Sequence, residues 1–327
     1  MGYCFSIGFT INSWDEEGEP LGTATAVVMG SAQLDPRSGT WTEDDLISVP
    51  TASGNMVNAF ATFSASCTSP CTADQPVAWT TGAMPMVAPE SLPDSITYTD
   101  IPAAGTENFI RTAYNFNLLP ASGAVTINDA NWSSTQQIRC DTTMKNSTGA
   151  LAPGCAIPAF KPNYNFDVAT YGAAGYLYYF TQHYWTAYDA STGAGIKKGT
   201  AADPFMYQYG SSDAHQAKTC GTGASRAFIP KPGSVVDDSC DEFPFAMTAE
   251  GGIDGGLCGE VVPQQATDGS WKMYAAYSDI PVTLKEPCVR GHVPSAENSK
   301  ADSDLGVWIQ QERIIDLDYF SVSTTMS

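Results

Sequence analysis

Short runs in which Val, Phe, Tyr and Thr recur among small and polar residues fill the first 135 positions: GTATAVVMGSAQL, NAFATFSASC, SITYTDI and FIRTAYNFNLL. Gly, Pro, Ser and Asn punctuate them, a pattern that predicts strands rather than helices. Their spacing predicts an all-β antiparallel sandwich domain over residues 1–135. From Gln136 the pattern changes, and YGAAGYLYYFTQHYWTAYDA (171–190) is dense in aromatic residues. Aromatic faces can stack on bases, but such a run more often forms a core or a contact between domains. His183 within it reads as a packed or surface histidine. GAGIKKGTAADP, with Lys197 and Lys198 after glycines, predicts a loop. Near the end, Ser303–Ile315 offers Leu305, Trp308, Ile309 and Ile315 at helical spacing. This predicts an amphipathic helix with Asp302 or Ser303 as N-cap, and a closing strand follows at Asp318-Tyr-Phe-Ser-Val-Ser.

A length of 327 residues is enough for two domains with separate cores, and 43% hydrophobic with 11% aromatic residues marks a globular chain. No run reaches the apolar length that spans a bilayer. MGYCFSIGFTINSW lacks the basic and apolar regions of an intact signal peptide, so either a leader has been removed or export takes another route. Nine cysteines are many for a reducing compartment and fall into couples along the chain. We expect disulfides Cys67 with Cys71, Cys140 with Cys155, Cys220 with Cys240 and Cys258 with Cys288, leaving Cys4 odd. Zinc is the competing reading, but there is no Cys-x-x-Cys and the three histidines stand apart. Asn131-Trp-Ser and Asn146-Ser-Thr fit the N-glycosylation pattern.

Charge constrains partners. The formal net charge is −20, from 35 acidic and 15 basic residues, and a mean acidic field repels phosphate. Residues 1–135 hold only Arg37 and Arg111 against 14 acids, whereas residues 136–327 hold 13 basic side chains against 21 acidic ones. Any capacity for nucleic acid therefore sits in the C-terminal part.

The stretch richest in candidate chemistry is SCDEFPFAMTAEGG (239–252). Pro244 lacks an amide hydrogen and pushes Phe243 out of helical space, so the backbone is expected to be extended. Asp241 and Glu242 then face opposite ways, and Glu250 stands at a turn that Gly251 and Gly252 invite. A solvated acidic turn is an equally open reading of these residues taken alone. Asn298, in HVPSAENSKADSD, is expected in a polar loop entering the last helix. Its side-chain oxygen is a hard, neutral ligand suited to Mg²⁺ or Mn²⁺. A general base on an extended segment, with a metal ligand at a helix entry, makes a workable site for phosphodiester hydrolysis.

SCDEFPFAMTAEGG, then VPSAENS, then Arg313-Ile-Ile-Asp-Leu-Asp-Tyr-Phe resembles the NucA/NucB family of secreted bacterial deoxyribonucleases. QIRCDTTMKNSTGALAPGCAIPAF (137–160) and the β-rich N-terminal region resemble the upstream part of longer secreted members. The resemblance implies an α+β nuclease-like domain over 215–327, a compact relative of the ββα-metal fold, with residues 136–214 as an aromatic-rich connection packed on it. It implies metal-dependent, largely nonspecific cleavage of DNA, with Mg²⁺ or Mn²⁺ as cofactor. Asp241 would be the base that activates water and Glu242 the adjacent site carboxylate, or else a structural partner of Arg313 or Arg290. Glu250 and Asn298 would be metal or water-shell ligands. Arg290, Lys300 and Arg313 would contact DNA, with Arg226 and Lys231 the other basic residues near the site. His292 reads as an exposed loop histidine or an auxiliary phosphate contact. Where members carry small residues after the Asn-Ser, this chain has Lys300, Asp302 and Asp304, so DNA binding should be weak and salt-sensitive. A secreted, extracellular protein is implied, with an immunity protein or surface molecule as a further partner. A catalytically inactive binding or structural protein on a nuclease-like domain is the alternative.

Overall fold

The computed structural model describes the chain apart from residues 82–83, 122–129, 147, 186, 189–194, 197 and 232, so Lys197 of the expected loop lies outside the described residues. Strand dominates, at 46% against 16% helix. Contacts divide the chain into two compact units, Met1–Phe160 and Lys161–Ser327.

The first unit holds β1 (Gly2–Trp14), β2 (Pro20–Gln33), β3 (Thr40–Gly54), β4 (Asn58–Cys67), β5 (Thr72–Asp74), the short helix α1 (Val77–Thr80), β6 (Met84–Val87), β7 (Glu90–Thr99), β8 (Glu107–Ile110), β9 (Thr112–Pro120), β10 (Ala130–Ser133), β11 (Ile138–Lys145) and β12 (Leu151–Ala156). They form sheets in the orders β1-β2-β3-β7-β5, β10-β9-β4-β6 and β12-β11-β8, with antiparallel pairing throughout. Alternation does the sorting, since every second residue of a strand points to one face. On β3 the buried set is Trp41, Glu43, Asp45, Ile47 and Val49, and the core they enter is completed by Phe63, Phe116, Leu118 and Met86. Each such large apolar side chain contributes about 2–3 kcal/mol of transfer free energy. The unit runs past residue 135 because β11 pairs with β8 and is tied to β12 by Cys140–Cys155.

The second unit comprises β13 (Asn163–Asp167), α2 (Val168–Tyr184), β14 (Ala187–Tyr188), β15 (Gly195–Ile196), β16 (Phe205–Met206), α3 (Ser212–Thr219), β17 (Asp238–Phe243), β18 (Gly259–Gln265), β19 (Trp271–Ala275), β20 (Val289–Pro294), α4 (Ser295–Gln311) and β21 (Tyr319–Thr325). Its main sheet has the order β17-β20-β18-β19, with β17 antiparallel to β20 and β18 parallel to it. The aromatic run is core: Tyr171, Leu177 and Tyr178 of α2 pack with Phe166, Phe243 and Phe245. Asp167 caps α2 at Ala169 N–H. The helix kinks at Gly172, whose φ of 55° favours glycine and whose missing Cβ leaves room for the Glu297 carboxylate. That carboxylate accepts from Ala173 N–H, restarting the helix and joining α2 to α4.

The last helix differs from the expectation. It begins at Ser295, so Asp302 and Ser303 are interior rather than capping, and Ile315 lies beyond its end. Its buried positions are Asn298, Ala301, Leu305 and Ile309. This stripe opens on a polar and a small residue, which is why its first half reads as loop in the sequence.

Candidate active site

β17 is an edge strand of its sheet, and its pleat separates the two acids. Asp241 turns toward the helices with Phe243, while Glu242 shares the opposite side with Cys240. The Tyr178 hydroxyl lies 3.0 and 2.9 Å from the two Asp241 oxygens and donates its one hydrogen to that carboxylate. Burial, then Asp302, then Glu242 raise the Asp241 carboxyl well above the usual range, against the opposing Tyr178 bond. Glu242 lies 3.0 Å from the Cys220 sulfur and is pushed up to about 8, by burial first and by Asp302 second. Asp302 is exposed to solvent at the cavity, and the protein crowded around its carboxyl pushes it up to about 6. Among the described residues no salt bridge joins any of the three to a cation.

α4 carries Asn298 and Asp302 one turn apart, hence on one face. The Asn298 amide donates to Cys240 C=O at 2.9 Å and to Ser239 Oγ at 3.2 Å, which ties the helix to β17. Its Oδ1 is buried without a hydrogen-bond partner among the described residues. A buried acceptor left in this way is costly unless something outside the chain satisfies it. Asn298 and Asp302 line an open cavity of about 530 Å³ together with Ser239, Cys240, Cys220 and Asp213. Asp241 and Glu242 stand behind this wall rather than on it. Cys220, Cys240 and Glu242 also place potential ligand atoms within 4.8 Å of one another, but the two sulfurs are joined in a disulfide and offer no thiolate.

The other expected site residues take different places. Glu250 accepts from Met206 N–H at 3.1 Å and is not among the cavity's lining residues, so it braces a turn. Arg290 has no exposed surface: its guanidinium pairs with Glu260 and donates to Thr219 and Arg226 carbonyls, which removes it from the DNA-contacting set. It pairs with Glu260, not with Glu242. Arg313 is 3% exposed and is likewise not a surface cation. Lys300 is exposed, bonded to Asp304 and placed 4.7 Å from the Tyr171 ring centroid.

His292 is a buried residue of β20, not a loop histidine. Its Nδ1 is 2.6 Å from Asp238 and its Nε2 3.0 Å from Glu260, and Phe228 stacks on the ring. Burial alone would raise Glu260, but its bonds with His292 and Arg290 prevail and hold its carboxyl low. Strand alternation explains this placement: Arg290 and His292 share one face of β20, opposite Glu242 and Cys240 in register. The four expected disulfides are formed and Cys4 is free and exposed. Two residues of the site lie outside the set expected from the sequence: Tyr178, and Asp302, which the sequence suggests only as a cap or as a charge near DNA. The four-residue spacing of Asn298 and Asp302 was the available signal for the second. Nothing in the aromatic run singled out Tyr178.

A carboxylate and a carboxamide on a cavity wall, with two buried carboxyls behind it, have the composition of a hydrolytic site. Residues 194–280 match the family described as Deoxyribonuclease NucA/NucB. The match covers only part of the C-terminal unit; it is consistent with the family that the motifs there resemble and suggests a deoxyribonuclease domain. The matched segment includes Asp241 and Glu242 and ends before β20 and α4. No curated protein matches the chain. Four disulfides, with no described helix long and apolar enough to cross a membrane, are compatible with secretion.

Proposed function

We propose that the C-terminal unit is a secreted, divalent-metal-dependent and largely sequence-nonspecific DNA endonuclease. The observation that carries this reading is the orphaned Asn298 Oδ1 beside carboxyls whose charges are mutually repelled and unpaired. A cation supplies the missing charge and the missing partner, and hard oxygen donors suit Mg²⁺ or Mn²⁺. Asn298 and Asp302 would hold the ion, with Glu242 as the adjacent carboxylate. Antiparallel β17 and β20 followed directly by α4 agree with a compact relative of the ββα-metal fold.

An ion held there would neutralise the scissile phosphate and the leaving oxygen. Asp241 would take a proton from water in its ionised form, which burial and the Asp302 and Glu242 charges disfavour in the metal-free protein. Tyr178 holds that carboxylate in one orientation. With Arg290 and Arg313 buried, Lys300 alone of the three expected cations is open to phosphate, so DNA is held weakly and salt-sensitively. Linear and circular DNA incubated with the protein and Mg²⁺ or Mn²⁺ should be cut, and a chelator should stop the reaction. Cleavage that persists in chelator would overturn the metal requirement.

A second reading has its own observation. Asp241 is buried behind the cavity wall and two of the three expected phosphate contacts are internal, as suits an inactive binding protein on a nuclease-like scaffold. Absence of any cleavage with either metal would favour it.

A further inference from the structure

The sandwich core contains two acids that the nuclease chemistry does not use. Glu43 and Asp45 project from the same face of β3 and are 0% and 3% exposed. Their polar surroundings are uneven. Glu43 accepts from Tyr114 at 2.7 Å and from Tyr98 at 3.2 Å, whereas both Asp45 oxygens are buried with no donor. Asp45 sits over Gly30, its register partner on β2, where a Cβ would meet Asp45 Oδ1 at 2.6 Å. Among the described residues no salt bridge reaches either acid. The titratable groups facing the pair are Tyr3 of β1, Tyr98 of β7 and Tyr114 of β9, with Asp44 adjacent on β3 and Asp94 opposite Asp45 in register on β7. None is a cation.

Two ionised carboxylates cannot share such a core, because each would lack a counter-charge and one would also lack every hydrogen bond. We propose that Glu43 and Asp45 form a carboxylic acid–carboxylate pair that holds one proton inside the sandwich and makes the first unit a pH-sensitive element. The hydrogen resides on Asp45, which donates to Glu43, while Tyr98 and Tyr114 complete the Glu43 shell. This accounts for one of the two orphaned Asp45 oxygens, the one that carries the hydrogen, without a further ligand. Burial first and the Glu43 charge second push Asp45 up to about 9, in agreement with that placement.

The direction of the effect follows from linkage. The folded unit keeps a proton that the unfolded chain releases near the ordinary value of 3.8. The stabilisation is therefore complete below about pH 4 and is lost as pH rises through about 9. Between those limits one extra bound proton changes the opening equilibrium by up to about tenfold per pH unit.

The test is hydrogen exchange of the full chain, read on peptides covering residues 40–49 between pH 5 and 8 and corrected for the intrinsic exchange rate. Protection in the wild type should fall by up to about tenfold per pH unit more steeply than in Asp45→Asn, which can donate to Glu43 but has no proton to lose. Glu43→Gln, which removes the acceptor charge, should also flatten the profile, and it serves if Asp45→Asn does not fold. Infrared spectra at neutral pH should show a protonated carboxyl band that Asp45→Asn removes. Equal slopes in the wild type and both variants, or no such band, would overturn the proposal. Equally, protection that rises with added Ca²⁺ or Mg²⁺ and falls with chelator would place a cation where we place the proton.

Discussion

Glu260→Gln tests the reassignment of Arg290 and His292 from DNA contacts to internal structure. Glu260 Oε2 binds Arg290 Nε at 3.1 Å and Arg226 Nη2 at 3.2 Å, and Oε1 faces His292 Nε2 at 3.0 Å. The Arg290 and Glu260 side chains are 0% and 2% exposed, so water cannot replace a lost charge. Breaking a buried pair by removing one partner costs about 3–5 kcal/mol. Glutamine keeps one acceptor oxygen but presents an amide to a neighbouring donor, so we expect the lower end, about 3 kcal/mol. For a unit the size of Lys161–Ser327 this is a fall in Tm of roughly 6–12 °C. Circular dichroism melting in chelator measures it, and Glu260→Gln/Arg290→Met should recover part of the loss, since it removes both buried charges. A fall below about 2 °C would mean that water reaches the network. A steeper salt dependence of DNA binding in the wild type than in Arg290→Gln would show that Arg290 touches phosphate after all.

Asp302→Asn should weaken Mn²⁺ binding by at least roughly tenfold in calorimetry. It should also raise the Tm of the metal-free protein, because it removes a like charge acting on Asp241 and Glu242. Metal affinity should climb with pH and level off above about 8, since Asp302 and Glu242 hold protons below about 6 and 8 and must release them to the ion. A flat titration from pH 5 to 8 would contradict the assignment. The same shifts make the metal-free unit more stable in acid, with that stability lost as pH rises through those values. Gly172→Ala should cost about 2–4 kcal/mol in denaturant unfolding, from the left-handed backbone and from displacing Glu297. A loss below about 0.5 kcal/mol would mean that the kink relaxes.

Much of this arrangement is legible in the chain. Alternating runs with turn residues mark the first unit as β, and neighbouring cysteines give the pairing. Pro244 forces Asp241 and Glu242 onto an extended segment, where they diverge as strand geometry requires. What is not legible is which charges lie inside. Arg290 and His292 look like surface residues because a local sequence carries no sign that Glu260 and Asp238 wait across the sheet to neutralise them. The first half of α4 escapes for a related reason. Its buried face opens with Asn298 and Ala301, so apolar periodicity starts only at Leu305 and hides the helix that brings Asp302 beside Asn298. The position of Glu250 after Asp241 and Glu242 along the chain does not show that its carboxylate serves the Met206 backbone.

The role of Asp241 as general base is tested by the rate of plasmid cleavage in Mg²⁺ or Mn²⁺ by the wild type and by Asp241→Ala, with folding of both confirmed by their melting. Loss of a general base should lower the rate by about 10²–10⁴-fold. Full cleavage by Asp241→Ala would show that Asp241 is not the general base.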